Sequence, residues 1–299
     1  MVLRRTCIGY CASLVVLAAA CNGDRRGQGS RGGANLDAFV SDGSSAADLG
    51  TPESADLGAS SEDMPAASDV HVVITADNAY AFGWGDANQV TNLLGRPPTN
   101  VAGDIFNCPV GAGPVANVGP EAYDVPAANA TGYLYIVTWA DDSVTQGVIG
   151  EFDRGGSPLY TGDPAWQVCA TGLAYDPSGS ATSGGPSAAV VNQEIGGCNA
   201  GSIATNGPTP GSGGWTDVAG AVTAGAVGTL AVGEDNSDQS GEFPIACQKD
   251  ANGVRGIDAA ARWMWYQPPG VSTPFQASGQ NNTRSFLIFR LKSDAVPIL

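Results

Sequence analysis

The chain has 299 residues, 43% hydrophobic and only 14% charged, with 42 Gly, 19 Pro and a formal net charge of −16. That balance argues against a helical bundle and for an all-β chain rich in turns. Thirteen Lys and Arg against 29 Asp and Glu leave no phosphate-neutralising surface, so nucleic acid is not an expected partner. The single histidine, His71, removes metal-hydrolase and triad chemistries that need several.

At the N-terminus, Arg4 and Arg5 precede an apolar stretch at 12–20, which closes on Leu17-Ala18-Ala19-Ala20-Cys21. A basic start, a short apolar core and small residues at the end read as a secretion signal. The apolar core is too short to cross ~30 Å of hydrocarbon as a permanent helix. The Leu-Ala-Ala-Ala-Cys ending resembles the lipobox of bacterial lipoproteins. This resemblance implies that residues 1–20 are a signal peptide, removed on export, and that Cys21 carries the lipid. The expected location is the cell envelope, facing the periplasm or the exterior, with membrane contact through the lipid anchor only.

Residues 21–69 follow, dominated by Gly, Ala, Ser and Asp, with Ala-Asp-Leu-Gly at 47–50 and again at 55–58. Such a composition cannot bury enough apolar area to offset the entropy of ordering, so a disordered acidic linker is expected. At roughly 5–6 Å × √n its typical reach is about 35–40 Å.

All six Trp lie beyond residue 69. Apolar segments there predict strands over 70–75, 132–139, 144–152, 165–169, 226–232, 260–266 and 285–291, separated by Gly/Pro/Asn/Asp/Ser clusters. In 132–139, Tyr133, Tyr135, Val137 and Trp139 share one face while Leu134, Ile136 and Thr138 share the other, so both faces of this strand are covered. No stretch of helical period separates these strands. Residues 70–299 are therefore expected to form one antiparallel β-sandwich or jelly roll with long Gly/Pro-rich loops. His71, flanked by Val70 and Val72, is expected to be a partly buried structural imidazole.

Cys7 and Cys11 leave with the signal and Cys21 takes the lipid, leaving Cys108, Cys169, Cys198 and Cys247. An even remainder in an exported chain suggests two disulfides, for which three connectivities exist. The expected pairing is Cys169–Cys198, which closes a short loop between neighbouring segments, with Cys108–Cys247. A zinc site is disfavoured by the lack of any CxxC spacing.

Several segments taken in order resemble the galactose-binding-like jelly-roll modules attached to bacterial glycosidases such as rhamnosidases. Ile74-Thr75-Ala76-Asp77-Asn78 runs into Tyr80-Ala81-Phe82-Gly83-Trp84. Tyr123-Asp124-Val125-Pro126 then precedes the 133–139 strand, followed by Gly147-Val148-Ile149-Gly150-Glu151-Phe152 and Ala165-Trp166-Gln167-Val168. Ala261-Arg262-Trp263-Met264-Trp265 and Phe289-Arg290-Leu291 close the series. The resemblance implies the sandwich fold and a binding role located in loops. The chain departs from the pattern at the first hairpin tip and in Gly/Pro-rich insertions at 92–119, 178–214 and 267–284.

Sugar recognition needs flat aromatic faces and short polar side chains. Trp84, Asp86, Asn88 and Gln89 at the first hairpin supply one such set, and Gln276, Gln280, Asn281 and Asn282 a second. The ligand-binding residues expected from these are Trp84, Asp86, Asn88, Gln280 and Asn281, against the alternative that Trp84 packs in the hairpin and the amides satisfy turn backbone. Trp139, Trp166, Trp263 and Trp265 are assigned to packing. The acidic stretch at 233–242 offers Glu234, Asp235, Asp238 and Glu242 as ligands for a structural calcium, against the alternative of a solvated acidic loop. It is not an EF-hand, because the register begun at Asn236 places Cys247 where the glutamate belongs.

No cofactor beyond that calcium is implied. Asp141, Asp142, Glu151 and Glu194 could be drawn on for glycoside hydrolysis, but their separations are not set by sequence. No nucleophile elbow, phosphate loop or dinucleotide fingerprint occurs. The expectation is a non-catalytic module that binds an extracellular ligand, preferably carbohydrate. The alternatives are an adhesion role against another surface protein and a glycoside hydrolase.

Overall fold

A computed structural model describes residues 68–95, 102–108, 119–139, 144–155, 157–174, 185–206, 210–237, 239, 241–249, 256–276 and 285–298. Cys21, residues 22–67 of the expected linker and the residues Asp238, Gln280, Asn281, Asn282, Asp141 and Asp142 lie outside these. The strands are β1 (Val70–Asp77), β2 (Ala79–Gly85), β3 (Val90–Gly95), β4 (Glu121–Val125), β5 (Tyr133–Trp139), β6 (Gly147–Asp153), β7 (Leu159–Tyr160), β8 (Gln167–Ala174), β9 (Thr216–Asp217), β10 (Gly220–Ala221), β11 (Thr229–Asp235), β12 (Arg262–Gln267) and β13 (Ser285–Lys292). Two helices join them, α1 (Ala102–Phe106) and α2 (Ala188–Ala200).

The strands form two antiparallel sheets, so the chain is an all-β sandwich. One sheet has six strands in the order β11-β12-β6-β1-β4, with β7 paired to β6, and the other has seven in the order β10-β9-β8-β13-β5-β2-β3. Period two sorts the side chains. From β2, Tyr80, Phe82 and Trp84 enter the core between the sheets with Phe152, Trp166 and Phe289. Ala79 and Ala81 face the other way, into a second core on the outer side of the seven-stranded sheet with Tyr135, Val137, Phe286 and Ile288. This sheet is thus covered on both faces, as the pattern of residues 133–139 required.

The cover on the outer face is α2, which corrects the expectation that no helix interrupts the strands. Val191, Glu194, Ile195 and Cys198 make its buried face, at helical spacing. Ser187 caps its start by accepting from the Val190 N–H, and Gly201 ends it in the left-handed region at φ 67°. Burial of Val191 and Ile195 contributes about 1.5–3 kcal/mol each. The Cys169–Cys198 disulfide fastens the helix to β8, and Cys108–Cys247 fastens the segment after α1 to the 241–249 segment. Both pairs are those expected.

His71 is not a buried imidazole. Its side chain is 54% exposed and its Nδ1 lies 2.8 Å from Asp124 Oδ1 on the neighbouring edge strand. Position 71 alternates with Val70 and Val72, and period two turns it to the solvent side of β1.

Candidate functional site

The β2–β3 hairpin tip is built by Asp86. Its Oδ1 accepts from the backbone N–H groups of Asn88 (2.7 Å) and Gln89 (3.1 Å), while its own N–H donates to the Gln89 carbonyl at 3.0 Å. This is the side-chain turn that Asp favours. Close backbone approach then fixes the tip against β5: a Cβ on Gly132 would sit 2.0 Å from the Gly85 carbonyl oxygen, which no side chain tolerates. Tyr135 Oη donates to the Asp86 carbonyl, and burial raises the pKa of this hydroxyl, keeping it a donor.

The tip is tied to α2 at two points. Asn192 accepts from the Val90 N–H at 2.7 Å and donates to the Val90 carbonyl at 3.1 Å, taking the place of a neighbouring strand along β3. Two turns later, Asn199 Nδ2 donates to the Ala87 carbonyl at 2.9 Å and lies 3.4 Å from Asn88 Oδ1. The same side chain turns its Oδ1 inward, where it accepts from Trp215 Nε1 at 2.7 Å and from Arg290 Nη1 at 3.0 Å.

Arg290 stands on β13, paired with Tyr135 on one side and Gln167 on the other. Its Nε donates to Gln167 Oε1 at 2.8 Å, and its guanidinium carbon lies 3.8 Å from the Trp215 ring centre and 5.0 Å from that of Tyr133. Burial pulls its pKa down from the ordinary value, with Tyr133 and Tyr135 acting in the opposite direction. Carbonyl dipoles at the C-terminal turn of α2 favour a cation there by about 0.3–1 kcal/mol. That offsets only part of a desolvation cost of several kcal/mol. The result is a polar surface of Asp86, Asn88, Gln89, Asn199, Gln167, Tyr133 and Arg290, held by hydrogen bonds and ring contacts.

Of the expected ligand residues, Asp86 and Asn88 lie in this surface and Trp84 does not. Trp84 is 8% exposed and packs with Phe82 in the inter-sheet core, because its parity on β2 points it inward. All six tryptophans are buried, so none offers a stacking shelf. The half-buried Tyr133 ring is the aromatic element of the patch instead. Of the second amide set, Gln276 is described, and its Nε2 donates to Glu242 Oε1 at 3.1 Å. Gln280 and Asn281 fall outside the described residues.

The acidic loop does not assemble as a calcium cage from the residues described. Glu234 Oε2 accepts from the Glu242 N–H at 2.8 Å and its Oε1 from the Phe243 N–H at 2.5 Å, while Asp235 Oδ1 accepts from the Ser237 N–H at 3.1 Å. These carboxylates serve backbone N–H groups of their own loop. Among the described residues no group of three or more His, Cys, Asp or Glu is placed to hold a metal. Of the acids considered for hydrolysis, the two that are described serve separate places. Glu151 is buried against Lys249 Nζ and the Asp258 N–H, and Glu194 lines a separate cleft of about 440 Å³ beside α2.

Sequence reasoning missed Gln167, Asn199, Trp215, Tyr133 and Arg290 as a group. One signal was available: Arg290 shares a strand face with Phe286 and Ile288, and a charge that follows directly on such an apolar run needs an explanation. No protein-family model matches this chain, and no curated protein and no solved structure matches it.

Proposed function

We propose that the chain is a cell-envelope lipoprotein, anchored through Cys21, whose β-sandwich binds carbohydrate without catalysing a reaction. The binding surface is the hairpin tip together with the C-terminal turn of α2: Asp86, Asn88, Gln89, Asn199, Tyr133 and Arg290. One observation carries this reading. Asn199 bonds the hairpin tip on one side and the Trp215–Arg290 stack on the other, so several amides and one aromatic ring are pre-positioned on a shared face. Short, fixed polar groups beside an aromatic ring suit the hydroxyls and C–H face of a sugar. Preorganisation lowers the ordering cost of binding.

The test is a glycan array probed with the full chain. Saturable binding that Asn88→Ala and Asn199→Ala both weaken supports the reading, and no binding to any glycan refutes it.

A second reading, docking to another surface protein, is favoured by the edge of the six-stranded sheet. Among the described residues β11 pairs only with β12. Beside it lies a cleft of about 490 Å³ lined by Val218, Leu230, Val232, Phe243 and Phe275 with Glu234 and Glu242. An open strand edge can accept an added strand from a partner. Retained partner binding in the absence of any sugar, lost on Val232→Pro, would favour it over the first.

A further inference from the structure

We propose that the Arg290 patch receives a carboxylate-bearing glycan, a chain whose sugar units include uronic acids. This rests on the carbohydrate reading above and adds the charge of the ligand.

The chain is strongly acidic, yet it buries Arg290 on an outer face to 9% exposure without giving it a carboxylate. The ion pairs among the described residues are His71 with Asp124 and Lys249 with Glu151. Both hydrogen bonds of Arg290 go to neutral amide oxygens, those of Gln167 and Asn199. A guanidinium carries five N–H donors, so most are left over. Nη2 has no acceptor among the described residues, and it is not among the buried atoms sealed from solvent.

Arg154 shows what a purely structural arginine looks like here. Also buried, it spends all three nitrogens on the carbonyls of Ser68, Ser293 and Ala130. Arg290 instead spends Nε and Nη1 and keeps Nη2 without an acceptor among the described residues. Trp215 and Tyr133 fix the plane of its guanidinium, and a fixed planar fork matches the two oxygens of a carboxylate. The carboxylate of the hairpin tip, Asp86, has turned its Oδ1 into its own turn. Lys292, exposed and two residues further along the same strand face, places a second positive charge opposite Tyr133. Asn88 and Gln89 remain to meet the hydroxyls of the same sugar unit, while Asn199 holds the frame beneath them.

The test uses the full chain, solubilised in detergent, with polygalacturonate and alginate, each beside its carboxyl-reduced form. Binding is followed by calorimetry. The expected result is at least one uronate polymer bound tenfold or more tighter than its reduced form, as one charge-assisted bond warrants. The preference should shrink as salt rises. Arg290→Met should erase the preference. Asn199→Asp should erase it too, by supplying an internal carboxylate at the atom that now accepts from Arg290. The comparison of acidic and reduced polymers on the unaltered chain decides the matter even where a variant fails to fold.

Equal binding of both forms, a preference that neither folded variant disturbs, or a preference for sulfated chains alone overturns the carboxylate assignment and leaves the carbohydrate reading standing. Failure to bind these polymers while neutral glycans still bind on the array does the same. Failure to bind any glycan, acidic or neutral, overturns both.

Discussion

The Arg290 guanidinium lies 3.8 Å from the centre of the Trp215 ring, and a single oxygen of Asn199 accepts from both, at 3.0 Å from Arg290 Nη1 and at 2.7 Å from the indole N–H. Asn199 is itself exposed, so it carries its structural role at the surface. Asn199→Ala leaves a buried indole N–H and one guanidinium N–H without acceptors and frees the Ala87 carbonyl. The expected cost is about 1–3 kcal/mol. Urea unfolding followed by indole fluorescence measures it, and an unchanged midpoint would show that water replaces Asn199 without loss.

The two disulfides should differ in both reactivity and weight. Cys169 on β8 and Cys198 on the inner face of α2 are fully buried, whereas Cys108 is exposed. Mild reductant on the native chain should therefore open Cys108–Cys247 first, read by alkylation and peptide mass mapping. The chain separations are 139 residues for that bridge and 29 for Cys169–Cys198. Loop-closure entropy then assigns roughly 5 and 3.5 kcal/mol to them. Prior labelling of Cys169 would contradict the burial argument.

Glu194 gives a pH dependence of known sign. Desolvation raises its pKa in the folded chain above the ordinary 4.5. The folded state therefore binds its proton more tightly than the unfolded state, and stability falls as pH rises from 4.5 through the folded-state value. Glu194→Gln removes that loss. The variant should melt higher than the parent at pH 7, and the two curves should meet as pH drops below 4.5. A variant that melts lower at neutral pH would mean that the charge has a favourable partner.

Acylation is tested separately from folding. In a bacterial host fed a clickable fatty acid, the parent chain should be labelled and Cys21→Ser should not. Labelling of the Cys21→Ser chain would refute anchoring at that thiol.

The strands were legible because their periodicity is strong: the alternation through 133–139 required a strand covered on both faces, and the structure covers both. Cysteine pairing followed from the count and the short loop. The helix α2 was hidden because its buried face includes Glu194, and because Gly196, Gly197, Asn192 and Asn199 look like turn residues in a Gly/Pro-rich insertion. The site was half legible. Asp86 and Asn88 announced a polar tip, and of the two readings open for Trp84 its parity with Tyr80 and Phe82 on β2 selects packing. Asn199 and Trp215 meet Arg290 only through long-range packing, 91 residues apart for Asn199 and Arg290, and no local pattern encodes that.

Hydrogen exchange of the full chain with and without the tightest glycan from the array tests the central claim most directly, because it locates the contact without any substitution. Slowed exchange confined to peptides covering 84–92 and 195–203 is the result expected of a site formed by the hairpin tip and α2. Slowing at 229–235 and 272–276 instead, or no change anywhere, would contradict it.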